Sequence, residues 1–557
     1  MKKRKRGNFM AVHDIVIFGN GMHAVFAACK AASEAPAKSV ALIVPDVSGK
    51  LGGLASVGGQ NYWDVSPWNG QVVTKGSFNW YLNKAESDPY YTGRGYNTDD
   101  LAEQLRISAA NYSNLHIYYK SDIVNYTYNT SLFRITSVTI RSIKRNTAGV
   151  VVWDGTATTK IEGRMFVDAS DDGKIARLIN TSVTVGRHDW NPAVMTTAFT
   201  PEETGASVGR QQAASIMIKI KGINVNRLKT DNGHSNKEDF QTSTYSDGTI
   251  RHITGGNKTI KNSLTIKAFN KKYGTQNSMT DFRYVLKPMN IARNGKGKDE
   301  WWVNALLVFD VDGRAHERDK TTGFYPTDML PDAKNTDEAW TAARDFVMGS
   351  QSNEFLDAMH EFPGFENVSV VGVGELMYIR ETVHMAWDSS KRTRNSENNY
   401  ALTGDMCKNA GAAPTAGADA VNYAKRIGLG FYPADIHPYE PRHVINTSTG
   451  EYYVDEYYTH IRSGIEDPIN PVYLPFSMLM SNYVGNLILC GYAAGVSSYA
   501  WGEIRVLPNL AVLGDAAGVT AAYCVNNDTI PYYVNYNTTD IANIQARLRA
   551  VGARLDK

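Results

Sequence analysis

The chain has 557 residues, 43% of them hydrophobic, with 58 basic against 56 acidic side chains and a formal net charge of +2. That length exceeds what one core comfortably sustains and argues for two domains. The near-neutral balance argues against a nucleic-acid or membrane surface as main partner, and no apolar stretch reaches the roughly 18 residues of a membrane helix.

The basic run Lys2-Lys3-Arg4-Lys5-Arg6 opens the chain. His13 and Asp14 interrupt before an apolar signal region develops, so the run reads as a basic leader and not as an export signal. Strand-like Asp14-Ile15-Val16-Ile17-Phe18 then enters Gly19-Asn20-Gly21-Met22-His23-Ala24 and a small-residue helix from Val25 to Ala32. A G-x-G-x-x-A turn between a strand and a helix suits a dinucleotide. Gly19 permits the turn, Gly21 lets backbone approach a pyrophosphate, Ala24 keeps the helix near the sheet, and the helix N-terminus receives the charge.

A second buried strand spans Ser39 to Val44. An acidic residue normally closes this strand and binds the adenosine ribose; Val44 stands there instead, and Asp46 is the substitute two positions on, or the contact is lost. The loop Leu51 to Gly59, with Gly52, Gly53 and Leu54 at its start, leaves few side chains between backbone and ligand. A helix is expected from Asp99 to Ser113, capped by Thr98 or Asp99, and residues 115–167 alternate like antiparallel strands. Residues 187–365 are rich in Lys, Asn and Thr, with a strand from Trp301 to Asp310, a hairpin turn at Asp312-Gly313, and a helix near Thr336 to Met348. The Asp310-x-Asp312-Gly313 stretch lacks the downstream ligands of a calcium loop, and no metal site is expected.

Near the C-terminus, Asn486 to Gly491 forms another strand, and Gly514-Asp515-Ala516-Ala517-Gly518 is expected to start the last long helix. The four cysteines, Cys29, Cys407, Cys490 and Cys524, have no C-x-x-C spacing. That pattern fits a reduced, cytoplasmic protein, and the Asn-x-Ser/Thr triplets at Asn111 and Asn446 then read as chance.

Five stretches in this order resemble a family: the turn at Gly19, Leu51-Gly52-Gly53 with its extension to Asp64, Val167-Asp168-Ala169-Ser170-Asp171-Asp172-Gly173, Ile379-Arg380-Glu381-Thr382, and Asn486 to Gly518. They are similar to the bacterial FAD-dependent oxidoreductases of the fumarate reductase/glutathione reductase-like superfamily. The resemblance implies a doubly wound, Rossmann-like α/β FAD domain, discontinuous in sequence, with an inserted α+β substrate domain. The expected division is 11–186 FAD-binding, 187–365 substrate, 366–400 FAD-binding or interface, 401–475 substrate, and 476–550 FAD-binding.

The implied cofactor is FAD, held by Gly19, Gly21, Met22, His23, Ala24, Asp46, Gly52, Gly53, Leu54, Ala169, Ser170, Gly514, Asp515, Ala516 and Ala517. Asp515 is expected on the ribitol hydroxyls with the helix N-terminus facing the flavin, against the simpler role of a helix cap. Ala169-Ser170 brings backbone to the dinucleotide, or merely caps the following helix through Asp171 or Asp172. Arg380 as an anion anchor, His437 of Asp435-Ile436-His437 as a proton acceptor, and Arg505 before the flavin helix are the expected catalytic residues. Their structural alternatives are an Arg–Glu pair, a core histidine, and a bridge from Arg505 to Glu503. The implied reaction passes a hydride between a small polar organic molecule and flavin N5, with an electron partner that the residues do not identify. Competing readings are an NAD(P)H- and oxygen-consuming flavin hydroxylase and a non-catalytic flavin-fold binding protein. No nucleic acid or membrane span is expected, and a homo-oligomer is compatible with the sequence.

Overall fold

Five short strands made almost wholly of Val, Ile, Leu, Ala and Phe build the first sheet, because a parallel strand covered on both faces can carry no polar side. In a computed structural model describing residues 9–84, 95–179, 183–190, 202–231, 240–274, 282–349, 352–386, 399–441, 443–445, 452–454 and 467–557, they run in the order Leu487–Leu489, Met165–Asp168, Ile15–Phe18, Val40–Ile43, Leu115–Tyr118. All four pairings are parallel, with Ile15 opposite both Val40 and Met165. Alternation along each strand divides two cores. Ile15, Ile17, Leu42, Val167 and Ile488 face a helical layer, while Val16, Phe18, Ile43, Phe166 and Leu489 pack on Ile123, Ile135, Val138, Ile140 and Ile161 of antiparallel strands. The strand that completes the sheet at one edge thus comes from the far end of the chain.

The first layer contains two helices packed on each other, Met22–Glu34 and the 20-residue Leu507–Asn526. The second is buried on all sides, which explains its uniformly apolar sequence. Among the described residues no single helix is long and apolar enough to cross a membrane. Helix Thr98–Ala110 is capped one residue earlier than expected, by the Asn97 side chain accepting from Asp99 and Asp100 N–H. Strands Ser121–Asn129, Arg134–Arg145 and Val151–Glu162 form the expected meander, to which Phe9–Val12 adds in parallel as a strand the sequence reading omitted.

The inserted sheet has six antiparallel strands in the order Phe240–Thr244, Ile250–Gly255, Tyr284–Arg293, Glu300–Val308, Ala214–Lys221, Ser369–Tyr378. Helices Leu264–Gly274, Thr336–Met348 and Ser352–His360 contribute to its core. The expected division needs two corrections. Ser369–Tyr378, assigned to a FAD-side segment at 366–400, is an edge strand of the inserted sheet. Conversely, Leu402, Cys407, Ile427, Val472 and Leu474, from the 401–475 segment assigned to the substrate domain, lie in the core built on helix Met22–Glu34. The turn at Asp312-Gly313 is no hairpin: Val311–Asp312 pairs in parallel with Lys334–Asn335. Lys2 to Arg6 and Asn446 lie outside the described residues.

Candidate cofactor and active site

Gly19 ends its strand with φ +155°, and a Cβ there would stand 2.2 Å from the Ala169 carbonyl oxygen of the adjacent strand end. The turn is therefore demanded by the closeness of two strand ends as well as by any ligand. Gly21 caps the helix without a side chain. The glycine-rich loop folds directly onto it: Gly52 N–H donates to the Asn20 carbonyl at 3.2 Å, and a Cβ on Gly53 would reach 3.1 Å from Gly21 Cα. Met22 and Ala24 are fully buried in the hydrophobic core, so their side chains do not line the site. The Ser170 hydroxyl donates to Asp168 at 2.6 Å and accepts from Lys174 N–H at 3.1 Å, which is a capping arrangement; Ala169 offers its carbonyl to His23 Nε2 at 2.9 Å.

Val44 is wholly buried, and the acidic role falls to Asp46, 1% exposed. One carboxylate oxygen accepts from Ser48 N–H at 2.6 Å and from the Ser48 hydroxyl. The other is buried with no hydrogen-bond partner, and burial raises the carboxyl's pKa against the opposing pull of Ser48 and the nearby Asn20 side chain. An orphaned carboxylate oxygen beyond the second strand suits a ribose hydroxyl pair. Beside it lies a cavity of about 110 Å³, bounded by Asn20, Pro45, Val47, Ser170 and Asp171 at the carboxyl ends of the parallel strands and by Trp340 from the inserted domain. In an open α/β sheet this is where the adenosine half of a dinucleotide goes.

A second, smaller cavity of about 20 Å³ lies on the other side of the turn. Gly21, His23, Gly52 and Leu54 form one side, and Leu507 and Leu510, in the first turn of the long helix, another. Gln60, Asp64, Asp171, Tyr378, Tyr492 and Arg505 supply its polar lining. The helix end that lines the cavity is thus at Leu507. Gly514, Asp515, Ala516 and Ala517 sit two turns inside the helix, contrary to expectation, because the helix begins seven residues before Gly514. Asp515 neither caps nor faces the cavity: it accepts from Ser77 N–H at 2.7 Å and from its hydroxyl at 2.6 Å. Gly514 and Gly518 permit close helix packing, since Cβ atoms there would lie 2.4 Å from the His23 carbonyl oxygen and 2.3 Å from that of Ala27.

Of the three expected catalytic residues, Arg505 lines this cavity. It donates to Asp435 Oδ2 at 2.7 Å and to the Tyr378 hydroxyl at 2.8 Å, and makes no bridge to Glu503. Against the cost of burial, the neighbouring Arg505 and His437 hold the Asp435 carboxylate well below its usual range. His437 Nε2 lies 3.3 Å from Asp435 Oδ1, so the neutral ring donates to that carboxylate and keeps a lone pair on Nδ1. Burial and the Arg380 charge press its pKa down to about 3, which makes it a weak base. Arg380 is not a free anchor. It is fully buried, donating to the Ala213 carbonyl at 2.6 Å, Ser215 at 2.9 Å and Asn304 at 3.3 Å. Neither does it pair with Glu381, whose carboxylate binds Ser498, His384 and Gln212 N–H.

Two groups stand out that the sequence reading did not name as catalytic. The Asp64 carboxyl is pushed up to about 7, first by burial and then by the Asp435 charge. Lys287 is pushed down to about 7 by burial and by Arg380, with its ammonium on the Pro288 and Asn304 carbonyls. A carboxyl titrating near neutrality in a cleft fits a proton carrier. Its only sequence signal was its place at the end of the glycine-loop motif. Lys287 had none, because it arrives from the inserted sheet.

The family model for FAD dependent oxidoreductases matches residues 14–548. The chain belongs to this family of FAD-dependent oxidoreductases. No curated protein matches it. Among solved structures it is similar to a flavin-dependent brominase, at 9% identity over 94% of this chain and 83% of that one, with a TM-score of 0.37. It is also similar to GidA of Aquifex aeolicus, at 11% identity over 96% and 70% of the two chains, with a TM-score of 0.31. A third is the p-nitrophenol 4-monooxygenase of Pseudomonas putida, at 9% identity over 70% and 73%, with a TM-score of 0.31. The residues of this FAD-dependent oxidoreductase fit its cofactor: the glycine turn at Gly21 and Gly52 and the first turn of helix Leu507–Asn526 line one cavity, Asp171 lines both cavities, and the Asp46 oxygen without a partner lies between Pro45 and Val47 of the other. Among the described residues no group of three or more His, Cys, Asp or Glu side chains is placed to hold a metal.

Proposed function

We propose that this flavoenzyme passes a hydride between a small polar organic molecule, such as an alcohol or amine, and its flavin, with Asp64 moving the accompanying proton. The observation that carries this reading is the convergence of Asp64, Tyr378 and Arg505 with the dinucleotide turn and a helix N-terminus on one enclosed cavity. Bound FAD supplies the hydride chemistry at N5. The chain supplies the rest. Arg505, fixed by Asp435, holds positive charge against a developing oxyanion, and Tyr378, accepting from Arg505, keeps its own O–H to donate to a substrate oxygen. Asp64 takes the O–H or N–H proton as the substrate carbon is oxidised, and its pKa near 7 lets it do so at neutral pH. His437, pressed toward neutrality, positions Asp435 and is not the base.

Anaerobic mixing of the yellow protein with a panel of polar alcohols and amines tests this. A panel member should bleach the flavin, at a rate that rises with pH through about 7 as Asp64 ionises. Asp64→Asn should keep the oxidised spectrum, slow bleaching by about 10²–10⁴-fold, and lose that pH limb. An unchanged rate in Asp64→Asn refutes the assignment. Bleaching by NADPH alone with no response to the panel, followed by oxygen consumption once air is admitted, supports the hydroxylase reading instead.

A further inference from the structure

The position two residues after Gly21, in the turn that receives a pyrophosphate, holds an imidazole. His23 is 2% exposed and lines the cavity. Its Nε2 lies 2.9 Å from the Ala169 carbonyl oxygen. A carbonyl only accepts, so Nε2 carries the hydrogen, and in the neutral ring Nδ1 is a bare lone pair. That Nδ1 is buried with no partner. It lies over Gly21: a Cβ built there would be 2.7 Å from Nδ1 and 2.4 Å from Cε1. The space a glycine keeps clear for phosphate is therefore bordered by a nitrogen that, in the neutral ring, repels an anionic oxygen.

Flipping the tautomer does not resolve this, since it would aim the Nε2 lone pair at the Ala169 oxygen. The remaining ways to seat a phosphate are to swing the ring out or to protonate it. Swinging out is opposed by the bond to Ala169, which it would break, and by the burial of the ring at 2% exposure. The other titratable groups facing this space are Asp64, Asp171, Tyr378, Tyr492 and Arg505, with Asp515 on the packed helix turned toward Ser77. None is hydrogen-bonded to Nδ1. We infer that His23 is a phosphate-binding residue that acts as an imidazolium, so that seating the FAD pyrophosphate draws one proton from solvent onto Nδ1, which then donates to a phosphate oxygen. Burial holds the ring neutral beforehand, at a pKa of about 4, and the phosphate charge supplies the compensation burial withholds.

FAD affinity then falls as pH rises, by about tenfold per unit for one coupled proton. The FAD-loaded protein is diluted at several values between about pH 6 and about pH 8, and released FAD is read by its fluorescence. The dissociation constant should rise about tenfold per unit, and His23→Asn, which cannot protonate, should flatten that slope by one proton while leaving any share due to Asp64 and Asp171. Equal slopes in wild type and His23→Asn overturn the inference. Should His23→Asn and the longer His23→Gln both fail to retain FAD, the wild-type protein decides through the nitrogen shifts of its histidine rings. An imidazolium that appears with FAD and is lost on its release supports the inference, and a ring that stays neutral overturns it.

Discussion

Replacing Gly514 or Gly518 by alanine tests the packing that puts both halves of the site in register. Alanine is favoured over glycine inside a helix by about 1 kcal/mol, so propensity alone predicts a gain in stability. Here the added methyl carbons would lie 2.4 Å from the His23 carbonyl oxygen and 2.3 Å from that of Ala27, where ordinary contact begins near 3.4 Å. Both obstacles are backbone atoms, which no rotamer change removes, so helices Met22–Glu34 and Leu507–Asn526 must separate locally by about 1 Å. Overpacking of that kind costs about 1–3 kcal/mol, and at two backbone contacts this short the upper end applies. The expected net loss is about 2 kcal/mol for either variant. The two differ in the second readout. Gly514 packs on the residue two positions past Gly21, so Gly514→Ala should also weaken FAD binding. Gly518 presses one turn farther along, and its variant should bind FAD more nearly as wild type. Urea unfolding and FAD fluorescence titration measure the two effects. If both variants match or exceed wild-type stability and bind FAD normally, the helices do not meet at these glycines, and the placement of the long helix is wrong.

Asp515→Asn should retain FAD, because the carboxylate serves Ser77 and not the ribitol; loss of FAD from a folded variant would restore the ribitol reading. Burial pushes the Asp515 carboxyl up to about 6, so its favourable contribution is complete below its unfolded value and lost as pH rises through 6. Urea stability of Asp515→Asn should therefore decline less steeply than wild type between about pH 4 and about pH 6, by roughly 2–3 kcal/mol; parallel curves would contradict the burial. Replacing Cys29, Cys407, Cys490 and Cys524 together by alanine should leave substrate reduction of the flavin intact in whatever protein stays folded. All four are buried and outside any disulfide, and burial pushes Cys29 up to about 12 and Cys490 and Cys524 higher, so these three supply no thiolate. Complete loss of flavin reduction in a folded, FAD-loaded variant would assign one of them a redox role.

Sequence alone determined the features that depend on near neighbours in the chain. The strand–glycine–helix unit at Ile15 to Glu34, the second strand at Val40–Ile43, the glycine loop at Gly52, and the helix at Thr336–Met348 follow from apolar runs, turn residues and caps a few positions apart. The ordered spacing of these motifs also carried the family and, with it, FAD. Tertiary structure decided what depends on distant neighbours. Gly514 to Gly518 reads in the sequence as a helix start, and only the packing of the whole run from Leu507 against helix Met22–Glu34 put it in the helix interior. Arg380 and Arg505 are chemically alike on paper, yet Ala213, Ser215 and Asn304 enclose one, while Asp435 and Tyr378 hold the other at the cavity. The Asp64 carboxyl owes its raised pKa to burial and to Asp435, 371 positions away. A pKa is set by what surrounds a group in space, and no local pattern encodes that.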